Sequence, residues 1–189
     1  MKQDFWTNRY EEKQTGWSVG NVSTPIKEYL DQLDDKNLRI LIPGCGFGYE
    51  VVYAWQSGFK NVYALDFVEE ALQSISKMEP SIPENQLLRE DFFSHEGSYD
   101  LIIEQTLFCA IDPSDREKYV SKIRELLVPG GKLAGVLFDR EFENSPPFGG
   151  SREEYLQLFS AVFDKVNIEK CYNSIPQRKG TEVFAFIEK

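Results

Sequence analysis

Leu38-Arg39-Ile40-Leu41-Ile42-Pro43 runs directly into Gly44-Cys45-Gly46-Phe47-Gly48, and Tyr49-Glu50-Val51-Val52-Tyr53-Ala54-Trp55-Gln56 follows. An apolar run of strand length, a glycine-rich turn and a helical segment that stops at Ser57-Gly58 read as strand, tight turn and helix. Glycines in such a turn let the chain reverse tightly and let a ligand approach the backbone without meeting a side chain. The spacing Gly44-x-Gly46-x-Gly48 departs from the dinucleotide pattern Gly-x-Gly-x-x-Gly, because the third glycine comes one residue early. A pyrophosphate loop presents N–H groups to phosphate at a helix start. This loop instead reads either as room for a ligand without phosphate at that point or as an ordinary glycine turn.

Working outward, the same alternation recurs. Thr24-Pro25 starts a helix expected to run to Leu33, with Thr24 as its N-cap hydroxyl and Pro25 at the first helical position. Asn61–Asp66 reads as a second strand and Glu69–Met78 as a helix stopped by Pro80 and Pro83. Strands are expected at Gln86–Glu90 and Tyr99–Glu104. A capping box of Ser114 and Glu117 opens a helix with Tyr119, Ile123, Leu126 and Leu127 on one face. Pro129-Gly130-Gly131 should end it before a fifth strand, Lys132–Asp139. Beyond the loop Glu141–Gly150, a second capping box, Ser151 and Glu154, opens a helix carrying Tyr155, Leu158, Phe159 and Val162 on one face. Val166–Tyr172 and Glu182–Ile187 close the chain as strands. Strand–helix alternation implies parallel pairing with right-handed crossovers and helices on both faces. The last two strands have only a short connector, so they must form a hairpin and the final strand must be antiparallel.

Composition narrows the partners. The 189 residues fit one domain, 1–189, and 41% hydrophobic residues suffice for a sizeable core. A formal net charge of -10, with no basic stripe to offset it, repels phosphate backbones and anionic membranes, so no nucleic acid or membrane partner is expected. No apolar run approaches the length of a membrane span, and Met1-Lys2-Gln3-Asp4 begins no signal peptide. Three scattered cysteines, Cys45, Cys109 and Cys171, form neither a metal spacing nor a disulfide framework, which points to a reducing cytoplasm. Cys45 and Cys109 read as packing residues rather than nucleophiles, since neither has a histidine nearby. His95, the single histidine, reads as a surface loop residue and leaves no second imidazole for a metal site; no metal is expected.

Two acidic positions carry chemistry. Asp66, at the carboxyl end of the second strand and 22 residues beyond Gly44, can accept hydrogen bonds from both hydroxyls of a ribose. It also stands at capping-box spacing from Glu69, and sequence alone does not separate these roles. Asp91-Phe92 ends the third strand. A carboxylate beside an aromatic there suits an adenine ring, which takes a stacking face and an acceptor for its amine; a helix cap beside a core phenylalanine fits equally well.

Phe5-Trp6, Arg9-Tyr10, Gly16-Trp17, Ile42-Pro43-Gly44-Cys45-Gly46, Asp91-Phe92-Phe93, Phe108-Cys109-Ala110-Ile111, Pro129-Gly130-Gly131-Lys132 and Pro146-Pro147-Phe148 together resemble the thiopurine S-methyltransferase family, most of all its thiol, thiocyanate and halide methyltransferases. The likeness follows family order along nearly the whole chain. It implies an α/β, Rossmann-like fold with a seven-stranded, mostly parallel sheet, helices on both faces and an antiparallel last strand. It implies S-adenosyl-L-methionine as cofactor, with Trp6, Tyr10, Trp17, Gly44, Asp66, Asp91, Phe92 and Gln105 lining its pocket. Residues 1–23 would fold as a lid over a core of 24–189. A sulfonium is a cation and aromatic faces attract cations, although a buried core cluster accounts for the early tryptophans nearly as well. Thiopurine-type members carry an arginine where this chain has Gln105, and Phe47 stands where a lysine is common. The missing arginine favours a small thiol or an inorganic anion over an anionic aromatic acceptor. The reaction implied is an in-line SN2 methyl transfer to a soft nucleophile, in which alignment and desolvation suffice without a named catalytic base. Gln105 and Pro146-Pro147-Phe148 are the candidates for shaping the acceptor pocket, and a monomer is expected. Two other readings compete: a nicotinamide-dependent oxidoreductase, and an S-adenosylmethionine-binding protein without catalysis.

Overall fold

A computed structural model of the chain describes residues 3–189. Its strands are β1 (Ile40–Pro43), β2 (Val62–Asp66), β3 (Leu87–Arg89), β4 (Tyr99–Gln105), β5 (Leu127–Phe138), β6 (Lys165–Lys170) and β7 (Glu182–Glu188). They form one seven-stranded sheet in the order β3-β2-β1-β4-β5-β7-β6. The first five run parallel, β7 is antiparallel to β5, and β6 pairs antiparallel with β7, as the short final connector requires.

Strand alternation sends side chains to two separate cores. Ile40 and Ile42 join Ile26 and Leu30 of α2 (Thr24–Asp31), Val51 and Ala54 of α3 (Tyr49–Gln56) and Ile75 of α4 (Glu69–Met78). Leu41, Ile102 and Leu133 point the other way, to Tyr119 and Ile123 of α5 (Arg116–Leu126) and Phe159 of α6 (Arg152–Ser160). Helices therefore cover both faces. A further helix, which we label α1 (Gln3–Glu11), has no buried residue and was not anticipated from the sequence.

Several local expectations are corrected. The N-cap of α2 is Ser23 rather than Thr24, and its hydroxyl reaches Gln105 instead of the helix backbone. No capping box opens α5: Asp112 takes both the Ser114 backbone N–H and hydroxyl, at 3.0 and 2.7 Å, and holds a 3-10 turn in front of the helix. Half of the second box forms, with Ser151 accepting the Glu154 N–H, while the Glu154 carboxylate turns away to Arg116. Pro129-Gly130-Gly131 does not precede β5 but lies within it, where the register against β4 shifts between Tyr99 and Leu101. His95 is not on the surface. It is 4% exposed, with Nε2 hydrogen-bonded to Tyr99 Oη at 2.8 Å and Nδ1 3.2 Å from Glu90.

Candidate active site

β1 lies between β2 and β4, so the chain leaves it in opposite directions across the sheet. A crevice opens outside the carboxyl ends of strands at such a switch point. A cavity of about 440 Å3 occupies it here, within the range of small-molecule sites. The glycine loop forms its floor. Gly48 has φ 77°, and a Cβ there would stand 2.1 Å from Ile75 Cγ1, so glycine is needed both for the turn and for the close packing of α3 on α4. A Cβ on Gly46 would meet Tyr10 Oη at 3.4 Å and Trp17 Nε1 at 3.7 Å. The bare backbone thus leaves space beneath the aromatic groups.

Asp66 ends β2 and faces this loop. Its Oδ2 accepts the Gly46 N–H at 3.1 Å and its Oδ1 accepts the Val68 N–H at 2.9 Å. The alternative capping box is absent, because Val68 is the N-cap of α4 and Glu69 pairs with Arg89 at 2.6 Å. Burial pushes the Asp66 carboxyl up to about 6, against the opposing pull of the Val68, Gly46 and Phe67 N–H groups. Each carboxylate oxygen keeps a lone pair for a ligand hydroxyl.

Above the loop stands an aromatic roof. Trp6 and Trp17 meet edge to face at 5.3 Å, and Tyr10 packs against Trp17 at 5.4 Å and Phe47 at 5.3 Å. Few polar contacts fasten it. Gln3 donates to the Phe67 carbonyl at 3.1 Å, and Arg178 donates to the Trp17 carbonyl at 2.9 Å. The Tyr10 phenol is driven far up by burial and by the Asp66 charge, so it stays a neutral hydroxyl.

At the other end, Gln105 closes β4 with its Oε1 accepting the Ser23 hydroxyl at 3.2 Å. Thr106 follows with φ 66°, a left-handed conformation for a β-branched residue and a point of backbone strain. Buried Glu104 holds this turn: Oε1 accepts the Phe108 N–H at 2.9 Å and Oε2 accepts the Tyr119 hydroxyl at 2.6 Å. Cys109 donates to the Thr106 carbonyl at 3.2 Å, and burial with the Glu104 charge pushes its thiol up to about 12. Cys45 is likewise raised well above the usual thiol range by burial. Both are inert packing thiols, as read from the sequence.

Of the sequence-derived residues, Trp6, Tyr10, Trp17, Gly44, Asp66, Phe92 and Gln105 line one cavity. Asp91 is beside Phe92 but outside the lining, and its Oδ1 accepts the Phe93 N–H at 2.7 Å in the following turn. Pro146 and Pro147 line the cavity and Phe148 does not; the Phe148 N–H donates to the Cys109 carbonyl at 2.6 Å. Glu50, Phe138, Arg140, Phe142 and Arg178 also line it and were missed. Among the described residues no group of three or more His, Cys, Asp or Glu gathers to hold a metal ion.

A glycine floor, an acid at the tip of β2 and an aromatic roof on a sheet of this topology are the features of an S-adenosylmethionine-dependent methyltransferase. A solved structure shares the fold: the Burkholderia thailandensis 1,6-didemethyltoxoflavin-N1-methyltransferase with bound 1,6-didemethyltoxoflavin and S-adenosylhomocysteine. It matches with a TM-score of 0.77 and 15% identity, covering 98% of this chain and 86% of that one. Residues 1–189 match the thiopurine S-methyltransferase family, and the chain belongs to it. It is 32% identical to the probable thiol methyltransferase 2 of Arabidopsis thaliana, over 94% of this chain and 81% of that protein. It is 33% identical to thiocyanate methyltransferase 1 of Brassica oleracea, over 96% and 83%.

Proposed function

We propose that the enzyme methylates a small soft nucleophile, a thiol, thiocyanate or halide, with Asp66 holding the cofactor's ribose and Trp6, Tyr10 and Trp17 roofing its sulfonium. The observation that carries this reading is the composition of the cavity beyond Gln105. Phe138, Phe142, Pro146, Pro147 and Cys109 make an apolar wall and Arg140 adds positive charge, while the Arg178 guanidinium is already paired with Glu182 at 3.5 Å. Apolar walls strip water from a soft anion while guanidinium groups favour its approach. S-adenosylmethionine, when bound, supplies an activated methyl group. The protein's own part is alignment: Asp66 fixes the sugar, Phe92 offers a face for the adenine with Asp91 beside it, and the neutral Cys109 withholds a competing nucleophile. The related thiol and thiocyanate methyltransferases support the same acceptor class.

The N-terminal segment 1–23, whose first two residues lie outside the described ones, is read as a lid on a core of 24–189, which the absence of buried residues in α1 supports. We also infer a monomer working in a reducing cytoplasm without nucleic acid or membrane partners, supported by three free buried cysteines and a net charge of -10. The test is product analysis by mass spectrometry with S-adenosylmethionine and, in turn, a simple thiol, sulfide, thiocyanate and iodide. Methylated product from at least one is expected. Tight binding of S-adenosylhomocysteine without product from any of them would overturn the acceptor assignment.

A further inference from the structure

Two carboxylates, and only two among the described residues, line the cavity: Asp66 and Glu50. Glu50 is the second residue of α3, immediately beyond the glycine loop, and is 8% exposed. Its Oε1 accepts the Ser23 N–H at 3.0 Å, and among the described residues no lysine, arginine or histidine forms an ion pair with it. A buried charge without a counter-ion is costly and calls for a partner. Burial raises the Glu50 carboxyl, against the opposing pull of the Ser23 N–H, its own backbone N–H, the Ser23 hydroxyl and the more distant Arg178 charge. The start of a helix repels cations, and an acid in its first turn offsets that repulsion. The place beside the glycine loop where a cation would otherwise be disfavoured is therefore the place that carries a buried acid.

We propose that Glu50 receives the α-ammonium group of the cofactor's amino-acid end. This rests on the S-adenosylmethionine reading above, since that end reaches the glycine loop once Asp66 takes the ribose. The site takes a primary ammonium, and it has a second consequence. Ser23 joins the two walls, its N–H on Glu50 and its hydroxyl on Gln105 at 3.2 Å. Ser23 is also the last residue before α2, where the N-terminal segment meets the core. Neutralising Glu50 with an ammonium therefore acts on the junction between lid and core, as well as on affinity.

Isothermal titration of wild type and Glu50→Gln tests this with three ligands. They are S-adenosylhomocysteine, its decarboxylated analogue, which keeps the amine, and 5′-methylthioadenosine, which has no amino-acid end. The glutamine retains an oxygen for the Ser23 N–H, and circular dichroism with a melting curve checks that the variant folds. A loss of at least tenfold in affinity for both amine-bearing ligands is expected, with methylthioadenosine changed less than twofold. Equal losses for all three would make Glu50 a structural anchor and overturn the proposal, as would unchanged binding of the amine-bearing pair. The wild type alone supplies an arm that does not depend on the variant: the decarboxylated analogue must bind tighter than methylthioadenosine, and equal affinity overturns the proposal. Failure of wild type to bind S-adenosylhomocysteine at all would instead sink the cofactor reading on which it rests.

Discussion

Asp66 and Glu104 are buried acids held above their ordinary range, and their titrations have different consequences. Asp66 rises to about 6 through burial, and in the proposed cofactor pose its ionised form is the one that accepts ribose hydroxyls. Affinity for S-adenosylhomocysteine should therefore increase as pH rises from 5 to 7 and level off above it. Asp66→Asn should remove that pH dependence and weaken binding by about 1.5–3 kcal/mol, on the order of 10- to 100-fold, measured by titration at each pH. Glu104 rises to about 7, again through burial, partly offset by the Tyr119 hydroxyl and the Phe108 N–H. Between about 4.5 and 7 the folded chain holds this proton and the unfolded chain has released it, so stability falls with rising pH across that window. Glu104→Gln should flatten the fall and stabilise the protein at pH 8 by on the order of 1–3 kcal/mol in urea denaturation. At this scale the sequence showed Asp66 because a strand tip after a glycine loop has a defined place in the fold. Glu50 was hidden because an acid in the first turn of a helix reads as an ordinary dipole partner. Arg178 was hidden because nothing local marks a connector residue that reaches the Trp17 carbonyl, 161 positions away.

At the scale of elements, the glycine loop and the N-terminal helix are two of the pieces that make the pocket. Gly48→Ala forces a left-handed φ of 77° on alanine and drives its Cβ against Ile75. Strain and overpacking together should cost about 2–4 kcal/mol. Gly16→Ala, where nothing lies within 4 Å of the added carbon, should cost far less in the same denaturation experiment. In the proposed cofactor pose the aromatic roof acts through charge as well as shape. Trp17→Leu should weaken S-adenosylmethionine, a cation, more than neutral S-adenosylhomocysteine, by about 0.5–2 kcal/mol or roughly 2- to 30-fold. Equal weakening of both in calorimetry would reduce the ring to apolar packing. Strand and helix positions along 24–189 were largely legible because each element follows its own hydrophobic period. Caps were legible only in part: Ser151 caps α6 as expected, but Ser114 is held by Asp112, and the N-cap of α2 falls on Ser23, whose hydroxyl goes to Gln105, rather than on Thr24; such competition is decided by neighbours rather than by spacing. Helix α1 escaped notice because none of its residues is buried, so it carries no core-facing stripe.

For the molecule as a whole, sheet order follows from connection lengths. Long crossovers impose parallel neighbours through β5, and the short link after β6 reverses β7 and slots it between β5 and β6. That topology puts a crevice between strand ends, while its walls come from distant stretches: Trp6 and Trp17 before the sheet begins, Asp66 and Gln105 at strand tips, and Arg178 near the end. A ligand in the crevice bridges segments that otherwise meet through few polar contacts, so binding should stabilise the fold cooperatively. S-adenosylhomocysteine at about 100 times its dissociation constant should add about 2.7 kcal/mol to the folded state. For a chain of this length that corresponds to a rise of roughly 5–10 °C in melting temperature. NAD at the same concentration should give no shift, because the early third glycine and the packing of Gly48 on Ile75 leave no pyrophosphate loop of the dinucleotide kind. A thermal scan in which NAD matches S-adenosylhomocysteine would contradict the assignment of the crevice at its root.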